Sequence, residues 1–346
     1  MRYDDLYLAG VGAYFPKGEP VDDAIVRGDY SLDAQERSGQ QAVAVAAEGD
    51  TQPAMAVRAA RQALARSGHG PDDVGLLLHA VSNYNGLDAW NVAAYLQKKV
   101  PAPAALGFEI RQLSNGAMAG LELAAAHLLA LSDRPAAIVS AADQFAEPYW
   151  NRWTCNVGMV FADGASAVVL SRHGGFARIR SLVTVSDPEL EGMQRGDARF
   201  QSGPDPEQFP VSLWLRSLEF FDAMDPDEAD RRMADGLRNS AERAAEEADM
   251  SVRDATRFVV PNFGRELLHK DFLDPLGIEI ERTTWEWGRE VGHSGTADQF
   301  GGLNHLVESG RLRPGDRIMV LSVGGGFNWT SLVVEITKDA KAYPSV

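Results

Sequence analysis

The sequence predicts an α/β protein made of two related halves, and two patterns carry that expectation. Strand-like and helix-like segments alternate along the 346 residues, the pattern of sheets covered by helices. A faint internal repeat also links the first half of the chain to the second. Short apolar or β-branched runs read as strands at Leu6–Val11, Val74–Val81, Ala136–Ser140, Met159–Leu170, Phe258–Pro261 and Arg317–Val323. Helical periodicity falls between them, at Gln52–Ser67, Asn91–Lys98, Ala117–Leu131, Pro226–Ala248 and Ala297–Glu308. The most charged of these helices, around Asp227–Asp249, reads as a solvated amphipathic face, with a partner-binding surface as the alternative.

The repeat is seen by aligning "QLSNGAMAGLELAAAHLLALSDRPAAIVSAAD" with "EVGHSGTADQFGGLNHLVESGRLRPGDRIMVLSVGG". Each runs turn, helix, turn, strand. His127–Leu128 and His305–Leu306 fall at matching places in the helices, and Ser140 and Ser322 at matching strand ends. Ser114 and His293 then occupy nearly equivalent positions, each where the repeated helix begins. Halves packed about a pseudo-twofold axis bring such positions together. The expected break lies near residue 172. Residues 1–172 form the half with the serine and 173–346 the half with the histidine and a Gly-rich loop. Between the two, roughly Arg172 to Met224 is polar and rich in turn residues, and about 184–224 reads as an inserted loop or cap. It either covers surface or walls a substrate channel.

Composition narrows the function. Hydrophobic residues make up 45% of the chain, and no run of about 18 apolar residues suggests a membrane span. The acidic opening, MRYDDLYLAGVGAYF, lacks the basic and apolar regions of a signal peptide. With Cys155 as the one cysteine, a cytoplasmic setting is expected. The net charge of −16 disfavours nucleic-acid binding and requires any acidic partner to dock on a local basic patch. The seven histidines show no close metal-ligand spacing, so no metal is expected. "AGVGAYF" carries a G-x-G after a strand, but Phe15–Pro16 follows where a dinucleotide-binding helix should start.

What remains is a nucleophile pattern. The helix after Ser114 is built mostly of Ala, Gly, Leu and Met, a composition suited to burial between layers. A serine hydroxyl needs a base to become a nucleophile, because a helix N-terminus supplies only ~0.3–1 kcal/mol towards a nearby negative charge. "VGHSGTADQ" offers His293 as base and Asp298, five residues on, to orient it. "LSVGGGFNW" places Gly324–Gly326 after a strand, where backbone can approach a ligand and present N–H to an oxyanion. Each piece has a plainer reading: Ser114 as a helix cap, His293 as a turn histidine, Asp298 as a first-turn carboxylate, the glycines as a turn. Cys155 reads as a buried structural thiol.

These residues resemble those of the β-ketoacyl-ACP synthase III branch of the thiolase superfamily, over nearly the whole chain. "LAGVGAYFP" is similar to that family's opening strand, and "ERSGQ" sits where R-T-G is usual. "TCNVGMVFADGASAVVL" resembles its apolar strand with a D-G-A-G turn, and "LSVGGGFNWTSLVVE" its G-G-G-F-T-W-G ending. The family's nucleophilic cysteine is replaced by Ser114. Its H-Q-A-N histidine falls at Asn262 of "VVPNFGREL", and its G-N-T-S asparagine at His293 of "GHSG". Histidine and asparagine have exchanged places while cysteine has become serine.

The resemblance implies a five-layered α-β-α-β-α thiolase fold and a homodimer. It also implies an acyltransferase of polyketide-type or antibiotic biosynthesis that moves a starter acyl group through an acyl-serine. The thioester of acyl-CoA, or of phosphopantetheine on an acyl carrier protein, is the substrate, and no permanently bound cofactor is expected. The backbone N–H groups of Ser114 and Gly325 would form the oxyanion hole, and Asn262 would meet the acceptor or a malonyl carbonyl. Arg37, Arg152 and Arg265 would meet the CoA nucleotide or the carrier. Two other readings stay open: a decarboxylating ketosynthase that extends the starter with malonyl-carrier protein, and a non-catalytic partner subunit.

Overall fold

A computed structural model describes residues 1–130, 133–203 and 206–338. In chain order the strands are β1 (Tyr7–Tyr14), β2 (Gly18–Pro20), β3 (Ala42–Ala44), β4 (Val74–Ala80), β5 (Leu106–Ile110), β6 (Ala136–Asp143), β7 (Gly164–Ser171), β8 (Ala177–Ser186), β9 (Arg257–Val259), β10 (Arg317–Gly324) and β11 (Asn328–Ile336). The helices are α1 (Val21–Arg27), α2 (Leu32–Ser38), α3 (Gln52–Ser67), α4 (Val92–Lys99), α5 (Gly116–Ala130), α6 (Gly192–Arg195), α7 (Leu213–Phe221), α8 (Pro226–Glu247), α9 (Arg265–Leu268), α10 (Asp274–Leu276), α11 (Trp285–Gly288) and α12 (Asp298–Glu308). Leu131, the expected end of α5, lies outside the described residues.

Nine strands join in the order β5-β4-β6-β7-β1-β8-β11-β10-β9. The order mirrors itself about the β1/β8 contact. On one side β4 and β6 are parallel and β6, β7 and β1 successively antiparallel. On the other, β9 and β10 are parallel and β10, β11 and β8 successively antiparallel. The helices α5 and α12, which follow Ser114 and His293, therefore precede corresponding strands, β6 and β10.

The apolar runs are continuous because these strands are covered on both faces. In β7, Val168 and Leu170 face a central core while Ala165, Ala167 and Val169 face an outer one. In β10, Ile318 and Val320 face the central core while Met319, Leu321 and Val323 face the outer core on the other side. The central core is filled by α5 (Met118, Leu121, Leu128) and α12 (Phe300, Leu303, Leu306). One outer core holds α3 and α4, and the other holds α8. The layers thus run α-β-α-β-α, the thiolase fold. Gly10 and Gly12 let α3 lie on β1: a Cβ there would fall 2.1 Å from Ala63 O and 2.4 Å from Ala59 O. The G-x-G of the opening strand is a packing device.

Three expectations need correction. The polar stretch from Arg172 contains the ten-residue strand β8 at the sheet's centre. Arg178 and Arg180 alternate with buried Ala177 and Ile179 and masked its hydrophobic face. Residues 184–186 belong to that strand, and the cap beyond it carries α6 and α7. Second, Met159–Leu170 is not one strand. β7 starts at Gly164, and the stretch before it pairs instead with His293: Phe161 bridges it, and Ala162 N donates to His293 O at 2.8 Å. Third, α5 is not buried all round, since Leu123 and Leu129 are 55% and 51% exposed.

Candidate active site

Three backbone features bring distant residues to one point. The turn before α5 is tight: Leu113 has φ +45°, a left-handed conformation unusual for a branched side chain, and Gly116 N donates to Leu113 O at 2.8 Å. This presents half-buried Ser114 at the start of the helix. The His293 turn is held by Val160 O, which accepts from His293 N at 2.8 Å. Gly324 closes the third side, because a Cβ there would sit 2.4 Å from Gln112 O and 2.7 Å from Asn115 N. The Gly-rich loop thus lies directly on the serine turn. Asn115 Nδ2 donates to Thr330 Oγ1 at 2.9 Å, tying that turn to β11.

Ser114 Oγ lies 2.9 Å from His293 Nε2, and His293 Nδ1 lies 2.6 Å from Asp298 Oδ2. A carboxylate can only accept, so the Asp298 contact places the proton on Nδ1 and leaves Nε2 to accept from the serine. His293 and Asp298 are 2% and 0% exposed. The edges of Phe161 and Phe263 pack against the imidazole at centroid distances of 5.2 and 5.1 Å. Asp298 opens α12, where the helix dipole favours a carboxylate. It also accepts from Ser294 N and Oγ at 2.8 and 2.7 Å and from Asn262 N and Nδ2 at 2.9 and 3.2 Å.

Sequence reasoning missed Asp143. Its Oδ1 accepts from Ser82 N at 2.8 Å, and its Oδ2 from Thr296 N and Oγ1, both at 2.9 Å. It staples the segment after β4 to the His293 turn. Burial raises its carboxyl pKa, and these donors oppose the shift. The only sequence signal was an acidic residue ending an otherwise apolar strand.

The other expected site residues divide. Asn262 joins the cluster with its amide turned inward: its Nδ2 donates to Gly292 O at 3.0 Å as well as to Asp298. Both partners are acceptors, which fixes the amide's orientation and engages both of its hydrogens. Gly325 lies in the loop beside the serine turn. Arg37 is exposed on α2, 3.2 Å from Asp33, and lines a cavity of about 360 Å³ with Tyr30, Trp153, Asn156 and Glu266. Arg265, also exposed, clips α9 to α2 by donating to Glu36 O at 2.8 Å. Arg152, expected to meet a nucleotide, is engaged within the protein. Its side chain is 12% exposed and forms a two-pronged pair with Asp163 at 3.0 and 3.3 Å, and it donates to Phe161 O at 3.2 Å. It is a brace for the segment that holds His293.

Cys155 is buried beside Phe145 and Phe161, and burial pushes its thiol up to about 12. Reactivity follows the thiolate. The folded protein is therefore expected to resist iodoacetamide at pH 8 and to alkylate only on unfolding; mass spectrometry before and after adding guanidinium checks this, and rapid native alkylation would contradict the burial.

Residues 108–188 match the family model for 3-oxoacyl-[acyl-carrier-protein] synthase III, and residues 245–336 match the model for its C-terminal part. The β-ketoacyl-[acyl-carrier-protein] synthase III of Rhizobium meliloti (strain 1021) is 26% identical over 337 residues, covering 94% of this chain and 98% of that protein. The synthase III of Clostridium beijerinckii is 25% identical over 334 residues, covering 96% and 99%. Among solved structures, the acyltransferase ChlB3 superposes with a TM-score of 0.91 at 36% identity, covering 97% of this chain and 99% of that one. The FabH synthase III of Pseudomonas aeruginosa PAO1 gives a TM-score of 0.77 at 20% identity, with the same coverage. Among the described residues no helix is long and apolar enough to cross a membrane.

Proposed function

Because this chain belongs to the 3-oxoacyl-[acyl-carrier-protein] synthase III family of acyl-transferring enzymes, we propose that it moves an acyl group from a thioester to an acceptor through an ester on Ser114. The single observation that carries this is the continuous hydrogen-bonded chain from Ser114 through His293 to Asp298. His293 Nε2 takes the hydroxyl proton as Oγ attacks the thioester carbonyl. The N–H groups of Ser114 and Gly325 receive the oxyanion. Collapse breaks the C–S bond, and the imidazolium returns its proton to the leaving thiol. The incoming thiol or hydroxyl then loses its proton to His293 and attacks the ester. Ser114 leaves protonated.

The donor is acyl-CoA or acyl-phosphopantetheine on a carrier, entering by the cavity beside Arg37. Arg265, bonded to Glu36 O beside Arg37, is the cation offered to a carrier against the chain's net charge of −16. The setting is cytoplasmic, in starter-unit chemistry of a polyketide-type or antibiotic pathway. The protein acts as a homodimer. β5 is a sheet edge on which Leu106 and Phe108 are 56% and 53% exposed, and α5 beside it exposes Leu123 and Leu129. Such an edge calls for cover.

Transfer is favoured over decarboxylating condensation by Asn262, whose amide hydrogens already serve Asp298 and Gly292. A non-catalytic role is disfavoured by the retained proton path. The test is intact mass after incubation with a panel of acyl thioesters. One acyl mass, mapped to Ser114 and missing from Ser114→Ala, is expected. Labelling of Cys155 instead, or none, would overturn the assignment. Malonyl-carrier protein should release no carbon dioxide above background.

A further inference from the structure

The cap reaches the catalytic loop through one side chain. A Cβ on Gly325 would fall 1.8 Å from Oε1 and 2.5 Å from Nε2 of Gln194, so the Gln194 carboxamide lies directly against the glycine whose N–H is assigned to the oxyanion. Gln194 is half-buried in α6, and among the described residues its carboxamide makes no hydrogen bond to protein. A half-buried amide without a protein partner is free to hydrogen-bond water or a ligand.

Its position is braced. Arg216 Nη1 of α7 donates to Gln194 O at 3.2 Å, and Asp197 N donates to Glu219 Oε2 at 3.0 Å. Gly192 is pressed against Phe220, 2.8 Å from where a Cβ would lie. The same cap also walls the other flank of the site. Leu213 N and Trp214 N donate to Cys155 O at 2.8 and 3.2 Å, and Leu213 packs with Phe145, Trp150 and Phe161, the last of which edges His293. Among the described residues no cap residue lines the cavity beside Arg37, so Gln194 lies away from the proposed entrance of the thioester. Its contact with Gly325 sets a polar group beside the assigned oxyanion position, in a site whose His293 flank is aromatic. Pockets of this composition use the few polar groups to select and orient.

Building on the acyl-serine reading, we propose that Gln194 determines acyl specificity: its carboxamide hydrogen-bonds a hydroxyl close to the acyl carbonyl, so the substrates are hydroxyacyl thioesters rather than plain alkanoyl ones. A site that binds a hydroxyl discriminates against the analogue lacking it, because its own polar group is left unpaired.

The test compares butyryl, 2-hydroxybutyryl and 3-hydroxybutyryl thioesters of N-acetylcysteamine, reading the rate of Ser114 acylation by quenched intact mass. In the wild type at least one oxygenated thioester should react about tenfold faster than butyryl. Gln194→Met keeps the side chain's length and packing without the amide and should bring that ratio to within about twofold of one. Gln194→Glu, isosteric and still an acceptor, should keep part of the preference. Equal rates in the wild type, or a preference that survives Gln194→Met, overturns the proposal and leaves the acyl-serine reading standing. Failure of all three thioesters to label Ser114 overturns both.

Discussion

His293→Ala is expected to slow acylation of Ser114 by about 10²–10⁴-fold, the range for losing a positioned acid–base group. The hydroxyl is 2.9 Å from Nε2, and the helix N-terminus alone is too weak to generate an alkoxide. Asp298→Asn should approach the same loss for a different reason. An amide in place of the carboxylate can donate to Nδ1, which moves the imidazole proton to Nε2, facing Ser114, where it cannot accept. Ser114→Cys separates the two mechanisms. A thiolate needs less help from a base, so Ser114→Cys with His293→Ala should acylate faster than His293→Ala alone. Rapid-quench mass measurement gives all four rates. Near wild-type acylation by His293→Ala would remove the general base from the mechanism.

The Ser114–His293–Asp298 geometry was legible in the sequence because its parts are local. His293 and Asp298 are five residues apart on one turn, and Ser114 is marked by the unusual helix that follows it. The internal repeat supplied the one long-range inference, that the turns before α5 and α12 meet. The strand order mirrored about β1 and β8 is its structural counterpart.

The rest depended on directions that residue order does not encode. Arg152 and Asp163 are both visible in the sequence, but their pairing follows from the chain folding back between them, so a nucleotide contact looked open to Arg152. Asn262 was found by its motif, whereas which way its amide points is set by Asp298 and Gly292. β8 was lost because two arginines on its less buried face read as loop. Exposure of Leu123 and Leu129 could not be read either, since an all-apolar helix signals burial without saying by what. Gln194 had no signal at all, because only the folded cap brings it to Gly325.

Asp298→Ala is expected to be the most destabilising single change at the site. Its carboxylate accepts from His293 Nδ1, from Asn262 N and Nδ2, and from Ser294 N and Oγ. The side-chain donors can turn to other partners. The two backbone N–H groups cannot, and each buried donor left without a partner costs about 1–3 kcal/mol. Together that is roughly 2–6 kcal/mol, against a total of about 5–15 for a typical protein. A water entering the vacated space would recover part of it, which points to the lower half of the range. Asp298→Asn keeps one oxygen acceptor and should lose less. The two substitutions therefore part company: both are nearly inactive, while chemical denaturation ranks wild type above Asn and Asn above Ala. His293→Ala is the control, since it removes the base and leaves Asp298 bound to Asn262 and Ser294. A loss of stability under about 0.5 kcal/mol for Asp298→Ala, the scatter of ordinary surface changes, would mean that Asp298 orients the imidazole without anchoring the loops around it.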